Sequence, residues 1–445
     1  MADAGVEPYW ELTFDADGDV ARPQRDALLA GVVRERLTDL VVFAHGWNND
    51  RPKATRLYTR FFAPFPELLV DGRARVGYVG VIWPAVRFPD EPIPDFEPSP
   101  QARPAAHAAA AADRPLLPDS LRRQLAEVFP GRDLVLERLA QLLTERPDAR
   151  SAFDEFARLV RELISVPEDS PDLRFAEDHG DGLPLPGMLT DDALEVCEVF
   201  TAALRSAGAE VRPGENVEAE RQPLLGGGLT RLWNGAGELL RQGGYYAMKR
   251  RSGTVGQLGL GPVLGRLAGE APALRVHLAG HSFGARLVSY GVRGLPAGVR
   301  NVTSVTLLQG AFSQYAFAAR LPHDRNRSGA LHGVQKRIDG PLVSCHSAHD
   351  DALGTFYPLA SKLAGDSASF LGLFDRWGAI GFHGIQAVDG ARRIRLGEAV
   401  PETGCVSVDA AAVVRRGEPP AGAHSDICHP ELARVILEAG RIGRG

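Results

Sequence analysis

The sequence predicts an α/β protein: a mainly parallel central sheet flanked by helices, carrying a largely helical inserted cap. Three observations predict it. Short apolar runs at 40–44 (Leu-Val-Val-Phe-Ala) and 76–83 (Val-Gly-Tyr-Val-Gly-Val-Ile-Trp) have the composition of strands buried on both faces, with room for one helix between them. A second series of alternating strand and helix patterns runs from residue 275 to the C-terminal region. Between the two series, residues 86–240 are too many for a loop, and their apolar spacing is mostly helical.

In chain order, Tyr9-Trp10-Glu11-Leu12-Thr13-Phe14 alternates as a strand does, and 15–19 is the turn after it. The character changes beyond Pro84. Residues 86–118 are rich in alanine and carry Pro89, Pro92, Pro94, Pro98, Pro100 and Pro104, the composition of an extended linker. Helical spacing follows in Leu134, Leu136, Leu139, Leu142 and Leu143, and again in Phe153, Phe156, Leu159, Val160 and Leu163. A third set, Leu194, Cys197, Phe200 and Leu204, has Thr190 as its N-cap with Asp191 and Asp192 in the first turn. Gly226-Gly227-Gly228 precedes a fourth helix over 229–241. The chain thus divides into a first part of the core (1–85), the cap (86–240) and a second part of the core (241–445). In that last part, a helix over 245–267 breaks near Gly259-Leu260-Gly261-Pro262. Strands follow at 275–279, 302–308, 342–347 and 405–414, and a closing helix at 430–440 has Pro430 at its first position.

Composition excludes several classes. Hydrophobic residues at 44% and charged residues at 24% are ordinary for a soluble globular chain. A formal net charge of −6 gives no bulk attraction for nucleic acid or an anionic membrane. The basic residues are almost all Arg, with Lys only at Lys53, Lys249, Lys336 and Lys362, which reflects a GC-rich genome more than phosphate binding. Cys197, Cys345, Cys405 and Cys428 are widely spaced and read as free thiols in a reducing compartment. The first residues have no basic or apolar region of a signal peptide, and no run reaches the ~18 apolar residues of a membrane span. Cytoplasmic is the expected location, with export by a leaderless route left open.

The chemistry concentrates at Gly280-His281-Ser282-Phe283-Gly284. A G-x-S-x-G string is weak alone, but this one follows a strand pattern at 274–279 and opens an apolar helix with Ala285, Leu287, Val288 and Tyr290. Such a corner forces the serine into a strained turn that lifts Oγ above the sheet, the flanking glycines relieving the crowding. Attack by that serine needs donors for the negative charge. His45-Gly46-Trp47 directly follows the strand ending at Ala44, so the N–H of Trp47, with that of Phe283, is placed to form an oxyanion hole.

These motifs resemble those of the α/β-hydrolase superfamily, over about two-thirds of the chain: 280–284 looks like its nucleophile elbow and 45–47 like its HG-x oxyanion motif. Val81-Ile82-Trp83-Pro84 also resembles a strand segment of some bacterial members, although the long insertion after it departs from the minimal fold. The resemblance implies a triad in the chain order Ser, acid, His. The loop after 302–308 has no carboxylate; after 342–347 come His349, Asp350 and Asp351, and the offset usual in the family favours Asp350, with Asp351 as alternative. His424 and His429 both precede the last helix. His429 is tied to its cap, whereas His424 lies in a Pro/Gly loop and His-Ser-Asp-Ile resembles the segment carrying the base in relatives, so His424 is favoured. His281 is expected to pack beneath the turn.

The resemblance implies cleavage of a carboxylic ester, small-molecule or lipid, through an acyl-enzyme, with no cofactor. Amide, peptide or thioester hydrolysis and acyl transfer with the same triad remain open, and a non-catalytic binding scaffold is the rival from another class. No metal is expected: Cys345-His346 with His349, Asp350 and Asp351 is scattered over both faces by strand alternation, and Gly259-x-Gly261 lacks dinucleotide spacing. The cap is expected to cover the site mouth, residues 190–245 lining the pocket with Leu232, Trp233 and Leu239 facing the substrate.

Overall fold

A computed structural model of the chain describes residues 4–47, 49, 51–69, 74–86, 116–167, 170–175, 178, 187–206, 228–356, 378–417 and 421–443. The prolines at 89–104 and Gly226-Gly227, expected to attach the cap, lie outside the described residues. Eight strands form one sheet: β1 (Tyr9–Thr13), β2 (Asp39–Ala44), β3 (Val76–Ile82), β4 (Arg275–His281), β5 (Val302–Leu308), β6 (Pro341–His346), β7 (Arg392–Arg395) and β8 (Gly404–Asp409). Their spatial order is β1-β3-β2-β4-β5-β6-β8-β7, and the neighbouring pairs run parallel. Every residue of β2, β3 and β5 is buried, and for 40–44 and 76–82 this is why the sequence reads as an apolar run and not as alternation. The edge strand β7, Arg-Arg-Ile-Arg, is largely exposed, and its charges blunt the sheet edge; that composition also hid it from a reading by apolar pattern.

Side-chain alternation divides the strands between two cores. On one face Val42 and Ala44 belong to the same core as α1 (Arg22–Arg34); on the other Val41 and Phe43 share a core with α2 (Arg51–Phe62), where Phe61 stacks on Phe43 at 3.7 Å. The insertion contributes α3 (Asp119–Val128), α4 (Asp133–Glu145), α5 (Arg150–Ile164) and α6 (Ala193–Ser206), and their apolar faces belong to the same continuous core as α1. The cap is thus an extension of one face of the sheet. Asp192, not Thr190, caps α6: its Oδ1 accepts from the N–H groups of Leu194 and Glu195, both at 3.1 Å.

The expected boundary at 240/241 falls inside a helix. α7 (Trp233–Thr254) runs unbroken for 22 residues, about 33 Å, so the helices expected at 229–241 and 245–267 share one axis. The expected break near 259–262 is instead a π-helical turn at Val255–Leu260, leading directly into α8 (Gly261–Glu270). Pro262 lies in the first turn of α8, where a missing N–H is tolerated. α9 (Phe283–Arg293) follows β4 and packs on the same face, and α10 (Pro430–Gly440) packs on the opposite one.

A buried charge cluster joins cap to core. Asp178 meets Arg286 of α9 at 3.2 Å and Lys249 of α7 at 2.9 Å, and accepts from the Ser313 N–H at 3.0 Å. The fully buried Arg286 guanidinium also donates to the Phe175 carbonyl and the Ser252 hydroxyl. Removing one partner strands the others in a low-dielectric interior. Asp178→Ala is therefore expected to lower the unfolding free energy by about 3–5 kcal/mol. Urea denaturation followed by far-UV circular dichroism measures this; an unchanged midpoint would show that the cluster does not hold the cap.

Candidate active site

Parallel pairing brings the carboxyl ends of the central strands to one edge, and four loops meet there. Ser282 directly follows β4 and stands at φ 55°, ψ −120°, outside the regions an L-residue prefers. Its backbone is nonetheless satisfied: the N–H donates to the Leu308 carbonyl, and its carbonyl accepts from Ala285 and Ala311. The turn is closed by contact. A Cβ on Gly284 would lie 2.0 Å from the Ala44 carbonyl oxygen, and one on Gly46 would lie 2.9 Å from the Ser282 Cβ. Pairing of Ala44 with Gly280 sets this approach, so residues 45–47 run directly over Ser282.

The three sequence-predicted residues come together. His424 Nε2 lies 2.9 Å from Ser282 Oγ, and its Nδ1 lies 2.8 Å from an oxygen of Asp350. A carboxylate only accepts, so Nδ1 carries the proton and Nε2 offers its lone pair to the Ser282 hydroxyl. Burial raises the Asp350 carboxyl above its ordinary range, and the charge and hydrogen bond of His424 oppose that rise. Asp350 is 0% exposed and accepts from the Leu353 N–H, while the His424 side chain keeps 12% exposure. The acid is sealed and the imidazole borders the open edge.

The alternatives are placed elsewhere. Asp351 is exposed and lies beside Gly422, and the carboxylate bonded to His424 is that of Asp350. His429 stands at the cap of α10 and bonds through Nε2 to Asp426 at 2.8 Å. Burial would raise the Asp426 carboxyl, but His429, Arg416 and two backbone N–H groups hold it down to about 2. That cluster anchors the loop carrying His424, a part for Asp426 that no pattern in the sequence signals. Cys345, His346 and His349 form no metal cluster, nor does any other group of three or more His, Cys, Asp or Glu among the described residues.

The two residues expected to form an oxyanion hole, Trp47 and Phe283, are adjacent. The Phe283 N–H lies in the first turn of α9, where a helix offers no internal acceptor. The rings of Trp47 and Phe283 are 6.5 Å apart, and the Tyr245 ring packs on both, at 5.4 and 4.4 Å. Trp83, in the segment quoted above, donates its indole N–H to the His45 carbonyl and stacks on the His45 ring, fixing the turn from behind. His281 does more than pack beneath the turn: its Nε2 lies 2.8 Å from the His424 carbonyl.

Leu232, Trp233 and Leu239, expected to face substrate, are core residues of the cap, exposed by 3%, 0% and 1%. Trp233 stacks on Phe153 at 4.4 Å and meets Phe156 edge-on. They belong to the outer end of α7; Tyr245, about 18 Å along the axis from Trp233, is the residue of this helix at the site. The apolar spacing of 229–241 identified a buried face without revealing what covers it.

A second Ser-His-Asp chain lies within the sheet. His277 Nδ1 is 3.0 Å from Ser304 Oγ and its Nε2 is 2.8 Å from Asp39, all three essentially without exposure and inside strands. Arg275 pairs with the same Asp39 oxygen at 2.7 Å. With Ser304 sealed in mid-strand, this chain satisfies buried polar groups and can reach no ligand.

Comparison with protein-family models, curated proteins and solved structures gives no match for this chain. Among the described residues no helix is long and apolar enough to cross a membrane. Because Trp233 is packed cap core, Trp233→Ala is expected to lower stability by about 3–5 kcal/mol. The reactivity of Ser282 toward an organophosphorus probe should stay at the wild-type rate in the folded variant. Urea melts and labelling kinetics read these separately, and a slowed labelling rate would return Trp233 to the site.

Proposed function

We propose that this chain is a serine hydrolase of the α/β-hydrolase type, cleaving a carboxylic ester through an acyl-enzyme. The observation that carries the reading is the hydrogen-bonded chain Asp350–His424–Ser282, ending on a serine held at positive φ at the carboxyl edge of a parallel sheet. A serine hydroxyl is a weak nucleophile until an adjacent base takes its proton. A fixed imidazole at 2.9 Å supplies that base.

Ser282 Oγ attacks the ester carbonyl, forming the Oγ–C bond as His424 Nε2 takes the hydroxyl proton. The carbonyl electrons move to oxygen, and the N–H groups of Phe283 and Trp47 donate hydrogen bonds to that oxyanion; one such donor is typically worth about 3–4 kcal/mol. Collapse breaks the bond to the alcohol, which leaves with the proton from His424 Nε2–H. Water then attacks the acyl-enzyme, with His424 again as base, releasing the acid and restoring Ser282. Asp350 stays ionised throughout and stabilises the charged imidazolium. The half-buried Tyr245, beside both donors, forms the wall against which the acyl group rests.

A fluorophosphonate probe should modify the protein once, at Ser282, as read by intact-protein and peptide mass spectrometry. Ser282→Ala should abolish labelling and Ser304→Ala should not. Labelling that survives Ser282→Ala overturns the reading. With a p-nitrophenyl ester, His424→Ala and Asp350→Asn should each lower kcat by orders of magnitude in a folded protein, about 10⁴ for the acid in the best-characterised serine triad. If His429→Ala is the dead variant instead, His424 is not the base.

A further inference from the structure

We infer that His281 is a positioning residue for the base: its ring N–H holds the backbone carbonyl of His424 and thereby sets the height of the imidazole over Ser282. The inference rests on the reading of Ser282 and His424 as nucleophile and base. His281 Nε2 lies 2.8 Å from the His424 carbonyl oxygen, and the two rings are 5.0 Å apart. A carbonyl can only accept, so Nε2 carries the proton and the other ring nitrogen is bare. That second nitrogen, Nδ1, is buried and has no hydrogen-bond partner among the described residues. It abuts Gly46, where an added Cβ would come within 3.0 Å of it. The ring is therefore wedged between the turn carrying Trp47 and the loop carrying His424, and it precedes Ser282 directly in the chain.

Leaving one nitrogen unsatisfied in the interior is costly, so the ring's remaining bond is the one the site uses. Protonation does not rescue Nδ1, because burial first, and then the neighbouring His424, push the His281 pKa down to about 3. The ring is neutral at working pH and acts as a single-donor strut. The His424 loop is also held by the Ala423 N–H on the His349 carbonyl, by the His424 N–H on the Ala421 carbonyl and by Asp426 on the arginines beyond. His281 supplies the side-chain bond to the backbone of residue 424 itself.

The test compares His281→Leu, His281→Asn and His281→Gln with wild type. It reads fluorophosphonate labelling rate, kcat and KM on p-nitrophenyl acetate, and thermal midpoint. A Gln amide reaches the position of Nε2 and can donate to the carbonyl; an Asn amide reaches only as far as Nδ1. His281→Leu and His281→Asn should lower kcat and labelling rate by about tenfold to a hundredfold with KM within about twofold, the scale of a misplacement near 1 Å. His281→Gln should return to within about threefold of wild type. Asn and Gln are both polar and smaller than the ring, so their difference survives if the Leu variant fails to fold. Wild-type rates in the Asn variant overturn the inference, as does a Gln variant no faster than Asn. Absence of labelling in the wild type would instead remove the hydrolase reading on which it stands.

Discussion

Ser282 at φ 55° holds about 1–3 kcal/mol of backbone strain, and the close approach of two strand ends is what keeps it there. β2 and β4 are paired so that Ala44 faces Gly280, and the first turn of α9 rests on the carbonyls of Ala44 and His45. No side chain fits at Gly284 under that contact. The same contact lays residues 45–47 across the serine, so one constraint sets both the direction of Oγ and the position of the neighbouring backbone donors. Every other group at the edge is arranged around this turn: Asp350 and His424 from beyond β6 and β8, Phe283 from α9 and Tyr245 from α7.

Two Ser-His-Asp chains of nearly equal hydrogen-bond geometry stand in different surroundings. In the chain of Ser304, His277 and Asp39 all members lie within strands and are sealed, and burial pushes the His277 pKa down against the pull of Asp39. In the other, Asp350 is as deeply buried, but His424 keeps its edge toward the open side and its serine stands at a chain reversal. Hydrogen-bond distances alone do not distinguish them. Backbone conformation and access do.

The cap shares its core with one face of the sheet. α7 passes unbroken from cap to core, and the cluster of Asp178, Arg286 and Lys249 ties the insertion to the helix that starts at the serine. Displacement of the cap would thus be felt at α9 through Arg286 and at Trp47 and Phe283 through Tyr245, since packed interiors transmit strain. Trp233 and Leu239 fill the cap interior at the opposite end of α7 from this relay.

Local composition determined much of this. Continuous apolar runs identified β2 and β3 because strands buried on both faces tolerate little else, and Gly-x-Ser-x-Gly between strand and helix patterns located the strained turn because only glycine fits the contacts beside it. The order Ser282, Asp350, His424 followed from resemblance, and the hydrogen bonds bring those residues together. What lay beyond the sequence were contacts between segments far apart along it. Apolar periodicity tells that Trp233 and Leu239 face inward without telling against what, so core residues of the cap were read as pocket residues. The stretch Gly259-Leu260-Gly261-Pro262 reads as a helix break, whereas packing against α9 carries α7, a π-turn and α8 through without one. Tyr245 meets Trp47 across about two hundred intervening residues, and His281 meets the carbonyl of residue 424; such meetings depend on how the chain closes on itself, which a local pattern does not encode.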